Sequence, residues 1–264
     1  MGSNSDVLVF DLVGKFAHFR KFYTNSSSLS YLFPPRTVME GMIAGMLGYD
    51  RDSYYNVFSP SRCSIAVSTR TRVRSIMQTV NYLFVKGTGD LNGKSGRTQI
   101  PVELILPEVF KENLRYRIYF THDENEIVSK LETKLKENHS YYPTSLGSAQ
   151  FLCKALFVSR VAGNLMSSGN EIDLRIQTPL LASKNSIKSL LDGKNDNIKL
   201  VTDIFPFHFE EGRTLGVNQR LIYDRNLQPL TVSNLEAPVT QLSYTDGGMS
   251  IDENIVFLET MSGN

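Results

Sequence analysis

Residues 14–48 read GKFAHFRKFYTNSSSLSYLFPPRTVMEGMIAGMLG and join a strand-like apolar run to a short apolar helix. Pro34 and Pro35 favour extended backbone, so the helix is predicted to begin just after them. The spacing of Thr37 and Glu40 predicts a capping box at its first turn. A cluster of basic and aromatic residues ends the strand: Phe16, His18, Phe19, Arg20 and Lys21. The stretch therefore predicts a strand–loop–helix unit with cations and aromatic rings where the strand ends and the loop begins.

The positive charge of the chain is concentrated in one region. The 264 residues contain 28 Lys and Arg against 27 Asp and Glu, which is almost neutral. Residues 1–100 hold 12 Lys and Arg against 6 Asp and Glu, and residues 62–97 hold seven of these cations with Asp90 as their sole acid. This asymmetry indicates a local polyanion-binding surface rather than a generally basic protein.

The sequence gives no sign of a membrane or metal protein. No apolar run approaches the length that spans a bilayer, and the first residues lack the cationic region of a secretory signal. Cys63 and Cys153 have no partners at metal-binding spacing and are expected to be reduced, buried residues. We expect a cytoplasmic protein without a metal or cofactor.

The order of predicted elements indicates an α+β fold. Strands are expected at about 7–16, 62–74, 115–121 and 155–161, with helices at 37–48 and around Ile127, Leu131 and Leu135. With a hairpin between the second and third strands, this is the order of a ferredoxin-like (RRM-like) core. We expect that core, with its inserted β-hairpin, over residues 1–165, and a smaller all-β region packed on it over residues 166–264.

Residues 62–74 form the clearest strand pattern in the chain. Period two places Cys63, Ile65 and Val67 in the core. The same period gathers Arg70, Arg72 and Arg74 on the opposite face, either for nucleic acid or as a solvated or salt-bridged surface. The hairpin follows at about 75–107, and the glycines and cations of 87–98 predict a mobile tip.

Four motifs resemble the Cas-five family of CRISPR-associated proteins, closest to its type I-B members. They are Gly14-x-Phe16-Ala17-His18-Phe19-Arg20, Tyr31-x-Phe33-Pro34-Pro35-Arg36-Thr37, Gly41-Met42-Ile43-Ala44-Gly45-Met46-Leu47-Gly48 and Tyr142-Pro143-Thr144-Ser145-Leu146-Gly147. The resemblance implies an RNA-binding subunit that caps the 5′ handle of a CRISPR guide RNA in the Cascade surveillance complex. It also implies that the inserted hairpin, the thumb, folds over the RNA beside the backbone (Cas-seven family) subunit. Contact with the large (Cas-eight family) subunit is implied as well, and target DNA would be met only through the complex.

The resemblance assigns the predicted RNA-binding residues to three places. Arg70, Arg72 and Arg74 would lie at the hairpin base, where guanidinium groups suit phosphates and unstacked bases. Lys86, Lys94 and Arg97 would lie near its tip. The remaining predicted residues flank the first strand, the first helix and the later turn: Arg20, Lys21, Tyr31, Arg36, Thr37 and Tyr142. For Tyr31 burial in the core is the alternative.

Catalysis is not expected. One branch of the family, in type I-C systems, cleaves precursor guide RNA with a tyrosine, a lysine and a histidine, without metal. None of the four histidines, His18, His122, His139 and His208, follows a lysine in this chain. We therefore expect a non-catalytic subunit. The alternatives are a metal-independent endoribonuclease of the same fold and a scaffold that binds acidic protein.

Overall fold

The computed structural model describes residues 6–25, 27–166, 173–182, 187–189, 198–235 and 237–259. Over these residues it is an α+β protein with helices α1 (Arg36–Leu47) and α2 (Asn125–Lys136), and no helix is both long and apolar enough to cross a membrane. In chain order the strands are β1 (Asp6–Gly14), β2 (Phe19–Arg20), β3 (Ser30–Tyr31), β4 (Cys63–Thr69), β5 (Val73–Leu83), β6 (Arg97–Pro107), β7 (Leu114–His122), β8 (Cys153–Ala162), β9 (Asn164–Met166), β10 (Leu174–Ile176), β11 (Leu180–Leu181), β12 (Ile187–Ser189), β13 (Leu200–Glu210), β14 (Thr214–Asp224), β15 (Leu230–Leu235), β16 (Val239–Asp246) and β17 (Met249–Ile255).

A four-stranded antiparallel sheet organises the first part of the chain. Its strands lie side by side in the order β4-β7-β1-β8. In sequence, α1 comes between β1 and β4, and α2 comes between β7 and β8. Alternate residues of β1, such as Leu8, Phe10 and Leu12, face the two helices and join the main core. The predicted sequence of strands and helices is confirmed, including the hairpin inserted between β4 and β7.

Helix α1 begins at Arg36, directly after the two prolines, as predicted. The predicted capping box is wrong: Pro35 is the N-cap residue, and no side chain caps the helix. Thr37 lies one residue inside the helix, too late to act as the cap. The Glu40 carboxylate instead pairs with the Arg36 guanidinium at 2.9 Å, and both groups are buried.

The second face of the sheet is covered, which overturns the predicted arginine face. The hairpin of β16 and β17 packs Leu242 and Ile255 against Val9 and Tyr119. Even-numbered residues of β4 such as Ala66 and Ser68 are therefore buried as well as the odd-numbered ones. Strand β4 ends at Thr69 and β5 begins at Val73, so the three arginines do not share one strand face.

The region after residue 166 is β-rich, as predicted over its described part. A six-stranded sheet has the order β12-β15-β10-β17-β16-β9, and a three-stranded sheet has the order β11-β14-β13. Phe205 of β13 stacks on Tyr31 and Phe33, with ring centroids 4.2 and 4.8 Å apart. This region thus packs on both faces of the first sheet, and its division from residues 1–165 as a separate domain stays a prediction.

The inserted hairpin has the predicted position. Strands β5 and β6 pair over their full length, from Val73 opposite Pro107 to Leu83 opposite Arg97. Strand β6 is anchored to the segment between β1 and β3, because Ala17 forms a β-bridge with Ile105 and Ser28 forms one with Val102. The tip carries a short 3-10 helix, Thr88–Asn92, whose Asp90 carboxylate accepts hydrogen bonds from main-chain amides.

Candidate nucleic-acid interface

A groove of about 780 Å³ lies where the inserted hairpin meets the first helix. The loop after β2 and the first turn of α1 form one side, and Tyr82 and Ile100 of the hairpin form another. The turn at Gly147 and the β13–β14 hairpin, with Phe209 and Arg213, close the remainder. Residues 51–55, after α1, line it as well, so five segments that are separate in sequence build one concave surface.

The turn at Gly147 packs against the segment between β1 and β2. Gly147 has φ +91°, a backbone conformation that a side chain disfavours. An added Cβ would stand 2.0 Å from the His18 carbonyl oxygen, so the close approach itself requires glycine. The His18 amide donates to the Leu146 carbonyl at 3.0 Å. The leucine–glycine pair of the 142–147 motif thus has a structural explanation.

His18 joins the loop to the hairpin as a neutral imidazole. Its Nδ1 lies 2.7 Å from the Glu103 carbonyl oxygen, so Nδ1 carries the proton and donates. Its Nε2 lies 2.9 Å from Ser28 Oγ and accepts from that hydroxyl. Burial lowers the pKa of His18 below the usual value, although the Glu103 carbonyl bond partly opposes this shift. Both ring nitrogens are occupied, so His18 holds the groove wall in place.

The groove combines arginines with aromatic rings. Phe22 and Tyr82 are 44% and 41% exposed, so both side chains are accessible to a ligand. Arg20, Arg51 and Arg213 also line it. Arg51 lies 3.2 Å from Asp52, and the Arg213 guanidinium lies 6.0 Å from the Phe209 ring centroid. Stacking faces beside cations form the usual surface for single-stranded nucleic acid, because rings hold bases and cations hold phosphates.

Only two of the predicted RNA-binding residues line this groove. Arg20 is exposed there, and Thr37 is buried beneath it in the first turn of α1. Lys21 lies close by, but its ammonium group pairs with the Asp203 carboxylate. Tyr31 is fully buried, and its hydroxyl donates to the Ile204 carbonyl.

Arg36 is enclosed at the helix face of the sheet. It is 1% exposed and pairs with the Glu40 and Glu259 carboxylates. It also donates to the Phe58 carbonyl at 2.9 Å. The predicted phosphate contact is incompatible with this geometry, because the guanidinium reaches no solvent here. In this structure Arg36 joins α1 to Glu259, which follows β17.

A second buried cluster of arginines and carboxylates lies on the other face of the sheet, the one covered by β16 and β17. Arg117 binds both carboxylate oxygens of Asp11, at 2.8 and 2.9 Å, and also pairs with Asp246. Arg70 pairs with Glu253 and donates to the Tyr119 hydroxyl at 2.7 Å. The Arg70 guanidinium is thus engaged within the protein rather than presented beside Arg72 and Arg74.

The other predicted residues are exposed but lie outside the groove. Arg72 and Arg74 are at the hairpin base, and Tyr142, 44% exposed, is on the turn after α2. Lys86, Lys94 and Arg97 are exposed around the hairpin tip. Within the described part of the chain, no carboxylate forms an ion pair with Arg72, Arg74, Lys94 or Arg97. The structure therefore keeps these cations accessible at the base and around the tip of the inserted hairpin.

Sequence reasoning missed most of the groove's rings and two of its arginines. The segment Arg51-Asp52-Ser53-Tyr54-Tyr55 follows α1 directly, and its mixture of a cation with two aromatic residues is a signal that could have been read. Phe209 and Arg213 carry no such signal, because they reach the groove from a distant hairpin. Tyr82 and Phe22 read in sequence as ordinary strand and loop residues.

Comparisons with known proteins give a fold relationship. No protein-family model and no curated protein matches the chain. A CRISPR protein from Archaeoglobus fulgidus superposes with a TM-score of 0.50 and 13% identity, over 94% of this chain and 98% of that one. A chain of a CRISPR RNA-guided surveillance complex gives 0.41 and 12% identity, over 86% of this chain and 91% of that one. A chain of the type III-B Cmr-beta complex bound to cognate target RNA and AMPPnP gives 0.44 and 11%, over 86% of each.

The last two scores are too low to indicate a shared fold. The relationship therefore rests on the Archaeoglobus fulgidus protein, and at 13% identity it concerns the fold alone.

Proposed function

We propose that this chain is a non-catalytic, RNA-binding subunit of a CRISPR surveillance complex of the Cascade type, and that its groove holds the 5′ handle of the guide RNA. The observation that carries the proposal is the groove itself. It places the exposed rings of Phe22 and Tyr82 beside three arginines, at the junction of the inserted hairpin with the motif-bearing segment 14–48. Such a surface suits unstacked bases and a phosphate backbone together.

The architecture supports the family resemblance at the level of its framework. We assign the sheet of order β4-β7-β1-β8, with both helices on one face, to a ferredoxin-like core. The β5–β6 hairpin then corresponds to the thumb. The fold shared with a CRISPR protein from Archaeoglobus fulgidus agrees with this assignment.

RNA contact is proposed away from the open sheet face that RRM modules use. That face is covered here by β16 and β17, so bases cannot stack on it. The accessible cations are instead Arg20, Arg51 and Arg213 in the groove, Arg72 and Arg74 at the hairpin base, and those at the tip. We propose that the RNA follows the hairpin from its base to its tip.

The partners we propose are those of a type I-B complex. The backbone subunit of the Cas-seven family would meet the hairpin, which carries exposed apolar side chains such as Met77, Leu83 and Leu91. The large subunit of the Cas-eight family would bind elsewhere on the chain. Target DNA would be reached only through the assembled complex.

The absence of catalysis is part of the proposal. Cleavage without metal needs a base near the 2′-hydroxyl. His18, the histidine of the groove, has both nitrogens engaged, and its lowered pKa follows from burial. His122 likewise accepts from the Glu124 amide and donates to the Val57 carbonyl, each at 2.9 Å.

Co-purified nucleic acid tests the proposal. The chain would be expressed with the CRISPR array and neighbouring genes of its own genome, and the nucleic acid in the purified complex would be run on a denaturing gel. We expect a discrete guide RNA, and incubation of the isolated chain with repeat RNA in chelator should leave that RNA uncut. Cleavage at the handle boundary would favour the endoribonuclease alternative, and a complex without RNA would favour a protein-binding scaffold.

A further inference from the structure

A second cavity, of about 580 Å³, lies beside the edge strand of the four-stranded sheet. It is formed by the C-terminal end of α2, the turn at Pro143 and the first residues of β8. Met46, Leu135 and Leu152 give it apolar walls, and Leu152 is 65% exposed. This cavity shares no lining residue with the groove.

The main chain of β8 is open along this cavity. In the described structure β8 pairs with β1 alone and forms the outer edge of its sheet. Thr144 takes both outward main-chain groups of Cys153: its carbonyl accepts from the Cys153 amide at 3.0 Å, and its hydroxyl donates to the Cys153 carbonyl at 2.8 Å. Because outward groups alternate along an antiparallel strand, those of Ala155 and Phe157 point the same way. Among the described residues, no main-chain partner reaches them.

The open part of the edge is short. The pairing of β8 with β1 shifts by one residue at Val158, which forms a bulge. Beyond it the Arg160 guanidinium is held by Glu132 at 3.0 Å. Bulges and charged side chains are common protection against unwanted strand pairing. The edge of β8 is therefore protected after Val158 and open over residues 154–157.

The charged side chains that line the cavity carry charge of one sign. Lys134, His139 and Lys154 line the cavity, and of the described residues no Asp or Glu lines it. The Lys134 ammonium group donates to His139 Nδ1 at 3.0 Å, and Lys154 is exposed. A ligand here would be complementary if it carried negative charge together with apolar side chains.

We propose that this cavity is a docking site for an extended, acidic segment of another protein, which adds a strand to the β8 edge over residues 154–157. Main-chain hydrogen bonds would pair the segment with Ala155 and Phe157, as in other cases of strand addition. Its apolar side chains would enter the cavity, and its carboxylates would face Lys134 and Lys154. The proposal concerns a different surface from the groove and does not depend on RNA binding.

A protein segment fits this site better than RNA does. Among the described residues no Phe or Tyr ring lines the cavity, whereas several line the groove, so bases would find their stacking surface in the groove. The open strand edge offers alternating donors and acceptors at the repeat of a peptide main chain. The two cavities thus differ in the chemistry that each presents.

The test uses the full chain and a fluorescein-labelled peptide of eight residues that alternates Glu and Val. We expect fluorescence anisotropy to show binding at least about tenfold tighter than that of the matching Lys–Val peptide. Lys134→Glu combined with Lys154→Glu should weaken binding about tenfold or more, whereas Lys111→Glu combined with Lys130→Glu, the matched control at exposed sites outside the cavity, should not.

Hydrogen exchange on the wild-type chain separates strand addition from simple charge attraction. The Glu–Val peptide should slow amide exchange within 153–157 and leave the groove residues unchanged. Absence of that protection, or equal binding of the Lys–Val peptide, would overturn the proposal. An oligouridylate of eight nucleotides is the competitor. If it binds the site more tightly than the peptide, and if Lys134→Glu with Lys154→Glu weakens its binding, the proposal is overturned in favour of nucleic acid.

Discussion

Arginines of the two sheet faces and arginines of the inserted hairpin have opposite roles in this molecule, although the sequence presents them alike. Arg36 and Arg117 are buried, and each is bound to a carboxylate from a distant part of the chain, Glu259 for Arg36 and Asp11 and Asp246 for Arg117. Arg72 and Arg74 are exposed, and the described residues offer them no ion pair. The first pair fastens the C-terminal region to the sheet, and the second pair remains available to a ligand.

The contrast shows that the role of an arginine depends on whether a carboxylate lies beside it in the fold, and not on its spacing in the sequence. Arg70, Arg72 and Arg74 form one period-two pattern, yet within the described part of the chain Arg70 alone pairs with a carboxylate, that of Glu253. A buried guanidinium is tolerated only when it is paired and hydrogen-bonded, which is what Asp11 and Glu259 provide.

Removal of a buried arginine should destabilise the protein strongly. Arg36→Met should lower the free energy of unfolding by about 3–5 kcal/mol, because the Glu40 and Glu259 carboxylates would remain buried without their cation. Urea denaturation followed by circular dichroism measures this loss. The matched variant Arg72→Met should change the free energy of unfolding by less than about 0.5 kcal/mol. Similar losses in both variants would remove the distinction between the two groups.

The exposed side predicts a salt effect on RNA binding. Replacing Arg72 and Arg74 together by alanine should weaken binding of the guide RNA's 5′ repeat fragment. Each lost phosphate contact removes about 0.7 from the slope of log affinity against log salt, so the slope should become shallower by about 1.4. Arg70→Ala should leave that slope unchanged while lowering stability. A gel-shift titration at several salt concentrations decides between these results, and equal slopes for all three proteins would contradict the assignment.

Much of the fold could be predicted because its signals are local. Helical spacing, the two prolines and the period-two strands all act over a few residues, and they placed β1, α1, β4, the hairpin, α2 and β8. The covering of the second sheet face could not be predicted, because it depends on Leu242 and Ile255, which meet Val9 and Tyr119 only after folding. The same reason explains the misplaced arginine face.

The candidate site was predicted less well. Arg20 was identified from a basic, aromatic cluster next to a strand end. Tyr82, Phe209 and Arg213 come from segments far apart in the chain and share no pattern in sequence. Burial also depends on such contacts, so Tyr31, covered by Phe205, could not be told from an exposed stacking ring.

The smallest expected effect concerns His18, which joins the groove to the hairpin. Burial keeps its pKa in the folded protein below the value of 6.5 that it has when unfolded. The unfolded chain therefore takes up a proton first as the pH falls, and stability is lost as the pH drops through 6.5 toward the lower folded pKa. His18→Gln should be less stable at pH 7.5 but should lose less stability between pH 7.5 and 5.5. Parallel curves for the two proteins in urea titrations would contradict this account.

The most direct test of the central claim is an anisotropy titration of the labelled 5′ repeat fragment of the guide RNA with wild type and Phe22→Ala/Tyr82→Ala. Stacking is worth about 1–3 kcal/mol for each base, so the loss of two rings should weaken binding about 30-fold or more. Tyr141→Ala, which removes an exposed ring outside the groove, serves as the control and should bind as wild type does. Unchanged affinity in the double variant, with its unfolding curve intact, would show that the guide RNA does not occupy the groove.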